Sequence, residues 1–546
     1  MNALLVLYAG NLRPEAFEPL INGQNSVILT LERAQKFPGV VKTLVLGKEG
    51  SPFAEQLGGI LPAHVITENK AGWTVRNLLD SIAVHQEGLD LAYFAWADCP
   101  FLDPDMAGRL GDLHLKSAAE YSYADGWPYG LAPELLSPGT AAILAKITGD
   151  DKTPVQRDAL FWAIQKDINS FDIETEISTV DLRCLRLNLC ADSKRNLLLL
   201  RRFADCLDGV SDKAFQQAPG IPNTAAVEEI IANKPEILRT LPAFFPIQVS
   251  APCPQSCSIC PYPKIAGSDL SARNDFMAHE QFELLLDKIT AFCSDAVIDL
   301  SLWGEFALHP HKMKLIEMVL QRPSLALVIE TSGIGWKTEE LERAAELAHN
   351  AAERQERTSP LPPLSWIVSL DTLDAARYRE LRGPGFTDAM ECAKKLLALF
   401  PNNAYVQAVR TAGAEDDIEK FYRSWKETID ARNIIIQKYD DFCGFLRRLQ
   451  ASDISPVNRQ PCWHLMRDMP VLLDGSVPLC RENMQTLGMV LKGGASAGKD
   501  ACVMGNVRTD SLEKIWENSY EFYTQQCHKK YNGSCAECDE YYTYNF

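Results

Sequence analysis

The feature that most constrains this chain is one short stretch, Cys253-Pro-Gln-Ser-Cys257-Ser-Ile-Cys260. It follows an apolar run at residues 244–249. That run predicts a β-strand, which puts the cysteines on the loop leaving its C-terminal end. Three thiolates on one tight loop can hold three irons of a 4Fe–4S cube. The fourth iron then has no protein ligand, and an open metal position is what chemistry requires. The alternatives are unlinked buried cysteines or a zinc loop. Zinc usually takes four nitrogen or sulfur ligands in paired spacings, and the next cysteine here, Cys293, falls in a predicted helix.

After this loop the chain alternates regularly. Residues 281–292 carry apolar side chains at helical spacing, and strands are predicted at 296–303, 325–330, 364–371, 403–410 and 433–437. Such βα units over about two hundred residues predict a β/α barrel with its functional residues at the C-terminal strand ends. Those ends carry Gly304-Glu305, Thr331-Ser-Gly333, Ser369, Asp371 and Arg410. Glycine permits close backbone approach. Ser369 and Asp371 share one side of their strand by two-residue alternation. His309 and His311 are expected at a helix start or in solvent, with a substrate role as the alternative. Residues 350–363 are polar, with prolines at their end, and predict an exposed loop.

The spacing of Cys253, Cys257 and Cys260 resembles the signature of the radical S-adenosylmethionine (SAM) enzymes. Gly304-Glu305, Thr331 to Gly333, and Ser369-Leu-Asp-Thr with Tyr378-Arg-Glu-Leu-Arg-Gly383 match that family in order. The resemblance implies a partial barrel of six βα units. It implies an open iron that binds the amino and carboxylate groups of SAM. One electron then cleaves SAM to methionine and a 5′-deoxyadenosyl radical, which abstracts a hydrogen atom from a substrate. On this reading Gly304, Glu305 and Thr331 contact SAM, with the backbone there or the carboxylate of Glu305 accepting from its ammonium group. Ser369 and Asp371 reach the ribose hydroxyls, and Arg410 pairs with the carboxylate.

Earlier in the chain, residues 4–10, 40–46 and 91–96 predict buried strands, with a helix at 26–37. Strands alternating with helices predict a parallel sheet that binds ligands at its carboxyl edge. Asp98 falls at that edge, where a carboxylate suits Mg²⁺ with a nucleotide phosphate. Asp98-Cys-Pro-Phe-Leu-Asp-Pro-Asp105, Ala119-Glu-Tyr121 and Pro128-Tyr-Gly-Leu-Ala-Pro-Glu134 resemble the GT-A nucleotidyltransferases. They are most like the cytidylyltransferases of surface-polysaccharide synthesis. In that family a glycine-, serine- and arginine-rich loop followed by lysine holds the triphosphate. Here the loop is Tyr8-Ala-Gly-Asn-Leu-Arg-Pro14 and Glu18 takes the lysine position, leaving Gly10 and Arg13 as phosphate contacts. Three readings stand open: an active transferase using Mg²⁺ and CTP, a binder of nucleotide or nucleotide-sugar, and a structural relic. Cys99, Cys184, Cys190 and Cys206 are expected to be small buried hydrophobes.

Near the end cysteines cluster. Asp474-Gly475 predicts a hairpin turn that brings Cys462 near Cys480, and Cys535-Ala-Glu-Cys538 adds a second pair. Two such pairs support zinc or a fully ligated 4Fe–4S cluster. The pattern resembles the SPASM and twitch extensions of radical SAM enzymes. That implies one auxiliary 4Fe–4S cluster on Cys462, Cys480, Cys535 and Cys538. Cys443, Cys502 and Cys527 are spare, and Cys502 or Cys527 is the first to consider as a replacement. The whole arrangement resembles the family labelled spiro-SPASM.

The expected fold is therefore α/β in four parts. These are a GT-A-like domain over 1–215, a linker over 216–240, a partial (β/α)6 barrel over 241–450 and a small cysteine-rich SPASM/twitch domain over 451–546. A net charge of −18 with no basic block argues against nucleic acid. No apolar run reaches the roughly 20 residues of a membrane span. The start lacks a basic leader region, and sixteen cysteines without one favour metal ligation in a reducing compartment. The expected location is the cytoplasm. The expected function is radical modification of a peptide or protein. The alternatives are oxidation or epimerisation of a sugar or nucleotide-linked precursor, and an iron–sulfur or zinc scaffold without catalysis. A small flavodoxin or ferredoxin is the expected electron donor.

Overall fold

Strand β1 (Ala3–Tyr8) is apolar and buried along its whole length, as a strand covered on both faces must be. A small hairpin of β2 (Pro19–Ile21) and β3 (Gln24–Asn25) follows it. Then come β4 (Val40–Lys48), β5 (Ile66–Lys70), β6 (Leu91–Trp96), β7 (Tyr121–Asp125), β8 (Glu134–Leu136) and β9 (Ile173–Ile177). Seven of these form one sheet in the order β5-β4-β1-β6-β8-β7-β9. It is parallel except at β8, which runs antiparallel to both its neighbours. The helices on it start on side-chain caps: Asn25 accepts from the Ile28 amide, Thr74 from Asn77 and Asp103 from Asp105.

The structure, a computed structural model, describes residues 1–206, 222–267, 270–354, 357–452, 455–484, 488 and 502–542. The end of the expected first domain and the start of the expected linker, residues 207–221, lie outside the described residues. From residue 222 the chain is packed against the sheet layer. Helix Thr224–Asn233 is tied to Asp103, whose carboxylate accepts from the Thr224 amide at 2.9 Å and its hydroxyl at 2.6 Å. The first compact unit accordingly runs from Met1 to Thr240, and a second from Leu241 to Phe546.

In the second unit six strands follow one another in space as in sequence: β10 (Phe244–Pro246), β11 (Ala296–Asp299), β12 (Leu325–Thr331), β13 (Leu364–Ser369), β14 (Ala404–Arg410) and β15 (Ile434–Lys438). All pairs are parallel. Helices His279–Cys293, Lys312–Leu320, Thr338–Ala352, Phe386–Leu399 and Glu415–Lys426 return the chain between them. The result is the expected half-barrel. Its core is Phe245, Ile298, Leu327, Ile329, Trp366 and Val406, all without exposure. One expected loop is shorter than predicted. Residues 350–352 belong to the helix ending at Ala352, and residues 355 and 356 lie outside the described residues.

An open sheet leaves an unpaired edge that must be covered. Here the cysteine-rich tail covers the outer edge of β10. Met469 donates to the Phe244 carbonyl at 2.9 Å, Val471 to Pro246 at 2.8 Å, and Gln248 back to Val471 at 2.9 Å. This corrects the predicted hairpin. The Asp474-Gly475 turn forms, with Gly475 at φ 85° and Leu472 donating to Ser476 at 2.9 Å. Its two arms then part: residues 468–471 join β10, while β16 (Ser476–Pro478) pairs with β17 (Val503–Asn506). The tail thereby shares one hydrophobic core with the barrel, Leu465, Val471 and Ile515 packing in the same cluster as Phe245 and Ile289. Among the described residues no helix is long and apolar enough to cross a membrane.

Candidate active site

The three cysteines lie on the loop after β10, and the barrel fixes that loop from several sides. Ser258 donates through its amide to the Leu381 carbonyl at 2.8 Å. Gln255 donates to the Tyr378 hydroxyl at 2.9 Å and to the Pro384 carbonyl at 3.2 Å. Tyr262 donates to the Ala251 carbonyl at 3.0 Å and stacks on Trp303 at 6.1 Å between centroids. The segment 378–383 that matched the family by sequence is thus the wall that holds the cysteine loop. Burial pushes all three thiols up, Cys260 to about 12. Such thiols are poor free nucleophiles and give up their protons to a bound metal. They fit a cluster better than they fit covalent catalysis.

A cavity of about 240 Å³ opens beside the loop. Cys253, Cys257, Cys260, Gly304, Glu305, Thr331 and Ser369 all line it. The backbone reverses at Trp303 and Gly304, with φ 52° and 77°. A side chain at Gly304 would run into the carbonyl oxygen of Ser250, at the entrance of the cysteine loop. Glu305 then donates its amide to the Pro252 carbonyl at 2.8 Å. Its carboxylate is already engaged on both oxygens. One accepts from Ala307 at 3.1 Å and the Thr331 hydroxyl at 2.7 Å, the other from the Ser332 amide at 2.8 Å and hydroxyl at 2.7 Å. Glu305 and Thr331 therefore organise the turn at the cavity wall; the expected acceptance of an ammonium group by the Glu305 carboxylate has no lone pair to spare.

Two other expected contacts are also corrected. β13 ends at Ser369, and Asp371 takes a left-handed backbone, φ 65°, so two-residue alternation no longer relates them. Asp371 is buried beside the cavity wall in an ion pair with Arg382 at 2.6 Å and also accepts from the Val409 amide at 2.9 Å. Arg410 is exposed at the end of β14 and does not line the cavity. The cations that do are Arg382, Lys438 and Arg481. Ser369 stays in place and donates to Glu330 at 2.6 Å, and Gln407 donates to the same oxygen at 2.7 Å. Glu330, Ser369 and Gln407 form a polar row across three adjacent strands at the barrel rim. Sequence reasoning passed over Glu330, although it directly precedes Thr331 at a strand end, and over Arg382, inside the matched segment. His309 is buried and engaged on both ring nitrogens by the Met277 carbonyl and the His311 amide.

The tail thiols gather behind this cavity. Cys462, Cys480, Cys535 and Cys538 are close enough to perturb one another. A fifth thiol joins them. Cys443 is within hydrogen-bonding reach of Cys538 and also senses Cys480. Of the three cysteines expected to be spare, Cys443 lies near Cys538 and Cys502 near Cys535. Phe442 and Arg481 line the cavity, and Cys443 and Cys480 are their chain neighbours. Beside them, burial and Glu482 raise Asp440 well above the usual carboxylate range. Against its own burial, Arg481 holds Glu482 low.

In the first unit Asp98 sits at the carboxyl end of β6 as expected, with the buried Cys99 and Cys190 thiols within 4.8 Å of it, but its carboxylate is already taken by a protein cation. Both its oxygens accept from Arg157, at 2.9 and 2.7 Å. Gly10 packs against the Tyr8 ring, Glu18 pairs with Arg201 at 2.9 Å, and Arg13 is engaged within the protein. Cys99 and Cys190 are buried with their sulfurs 3.3 Å apart, while Cys184 and Cys206 are only partly buried.

A parallel half-barrel with three cysteines after its first strand, and a second thiol group behind its cavity, defines a radical SAM enzyme. Residues 462–539 match SPASM, an iron–sulfur cluster-binding domain. An uncharacterized protein of Treponema pallidum (strain Nichols) is 32% identical over 394 residues, 71% of this chain and 98% of that one. The chain belongs to the family of that protein. Among solved structures, a cytidylyltransferase from Leptospira borgpetersenii serovar Hardjo-bovis is similar over 43% of this chain and 95% of its own, with 17% identity and a TM-score of 0.35. Streptococcus suis SuiB bound to precursor peptide SuiA is similar over 54% of this chain and 68% of its own, with 14% identity and a TM-score of 0.36. At those scores neither likeness bears on activity.

Proposed function

We propose that this chain cleaves SAM reductively at a 4Fe–4S cluster held by Cys253, Cys257 and Cys260, and uses the radical to modify a peptide or protein. The observation that carries the proposal is one cavity lined by Cys253, Cys257 and Cys260 and also by Phe442 and Arg481, the chain neighbours of the tail thiols Cys443 and Cys480. When bound, the cluster supplies the electron that splits SAM into methionine and a 5′-deoxyadenosyl radical. The chain's own part is positional. Tyr378, Leu381 and Gln255 fix the cysteine loop, the Gly304 turn lets its backbone approach the wall, and Arg382 brings a cation beside Cys257. Glu330 keeps one carboxylate oxygen for a ligand in the cavity, because its other oxygen takes both Ser369 and Gln407. The tail thiols Cys443, Cys462, Cys480, Cys535 and Cys538 offer enough ligands for one auxiliary cluster, which would accept an electron from the substrate. A small flavodoxin or ferredoxin delivers the first electron.

The cavity's volume suits one small cofactor and leaves little for a second enclosed molecule. A peptide segment presented from the rim fits this better than an enclosed sugar. The test uses the reconstituted, reduced enzyme with SAM, measuring 5′-deoxyadenosine yield on addition of a cellular peptide fraction or of a CDP-sugar. Stimulation by the peptide fraction that protease treatment abolishes supports the proposal. Stimulation by the CDP-sugar alone replaces it with the sugar reading.

A further inference from the structure

We propose that Arg157 is a built-in cation that fills the divalent-metal position of the N-terminal unit, so that this unit binds neither a metal ion nor a nucleoside triphosphate. The carboxylates of Asp98, after β6, and Asp192, before helix Lys194–Asp205, converge on one point from separate loops. Two convergent carboxylates at the carboxyl edge of a sheet are what a hard divalent ion needs. Here the point is taken by a guanidinium. Asp98 binds it in fork geometry, Nη1 at 2.9 Å and Nη2 at 2.7 Å, and Asp192 adds a contact to Nη2 at 2.8 Å. The Arg157 group also lies over the Trp96 ring at 4.4 Å and near the Tyr129 ring at 5.6 Å, where ring faces favour a cation.

The segment that carries Arg157 is held in place. Val155 donates to the Trp73 carbonyl at 3.1 Å and Val75 to Thr153 at 2.9 Å. Asn11, in the loop after β1, donates its side-chain amide to the Val155 carbonyl at 3.1 Å. The loop expected to cradle phosphate is therefore tied to the segment that closes the site. Charge gives the same answer. Two carboxylates against one guanidinium leave a net negative site, and Glu18 adds a carboxylate already matched by Arg201. Nucleotidyl transfer needs a cation to neutralise the triphosphate, and the single positive charge of Arg157 is already matched by Asp98 and Asp192.

The test uses the full iron-loaded chain. Titration of Mg²⁺ with CTP into the natural protein should give no binding at millimolar concentration, and uptake of one equivalent would overturn the proposal. Room-temperature EPR of Mn²⁺ then reads the site directly. Arg157→Ala should gain one bound Mn²⁺ per chain that the double variant with Asp98→Asn lacks; a folded Arg157→Ala that gains none contradicts the claim that the guanidinium holds a metal seat. If Arg157→Ala does not fold, Arg157→Gln carries the same comparison.

Discussion

Asp371 is the residue on which the wall of the active cavity depends. Its side chain and that of Arg382 are 3% and 9% exposed, and the pair is 2.6 Å apart. Removing one partner leaves a buried charge without compensation, which costs about 3–5 kcal/mol. Asp371→Ala should therefore lose about that much in denaturant unfolding. Asp371→Asn should lose less, because Asn tolerates the left-handed backbone and still accepts from Val409. Equal losses would mean that the lost ion pair accounts for the whole effect and that the Val409 contact and the backbone account for none of it. In the first unit, His114 is buried between the hydroxyls of Ser122 at 2.8 Å and Ser137 at 3.0 Å. Burial lowers its pKa from 6.5 to about 4. The unfolded chain then takes up the proton first, so stability falls as pH drops from 6.5 toward 4 and levels off below, by at most about 3 kcal/mol. His114→Gln should flatten the stability profile in that window; an unchanged slope would assign it to other groups.

At the scale of elements, turns decide more than strands. The turn at Trp303-Gly304 packs against the entrance of the cysteine loop. Gly304→Ala should displace that loop and lower iron at the first cluster, measured by metal analysis after reconstitution, while tail iron stays. The loop 440–444 is the matching element on the other side, with Phe442, Cys443 and Gly444 all in left-handed backbone, φ 53°, 56° and 79°. Cys538→Ala should lose auxiliary iron, whereas Cys392→Ala, in helix Phe386–Leu399, should not. These turns also mark how far the sequence could be read. The six barrel strands were legible because their apolar runs are continuous and flanked by helical periodicity. The cysteine loop was legible because its ligands lie within eight residues. Asp371 was misplaced because alternation holds only inside a strand, and the strand ends two residues earlier. Cys443 and Arg157 were not legible, since each meets its partners from a distant part of the chain. The hairpin at Asp474-Gly475 failed because each arm found a better partner strand.

At the scale of the whole molecule, two units carry opposite relations to a metal. In the Met1–Thr240 unit a cation position is closed by arginine. In the Leu241–Phe546 unit three partly buried thiols on a constrained loop are offered to a metal. The tail covers the barrel's edge and shares its core, so barrel and tail form one cooperative body. The most direct test of this account is iron and 5′-deoxyadenosine measured together in the anaerobically reconstituted protein, reduced in the presence of SAM, for the natural chain and for Cys257→Ala. The account predicts iron for two cubes in the natural chain with nucleoside formed, and iron for one cube in Cys257→Ala with nucleoside absent. Nucleoside formation that persists in Cys257→Ala, or two cubes in the natural chain with no cleavage, would contradict it.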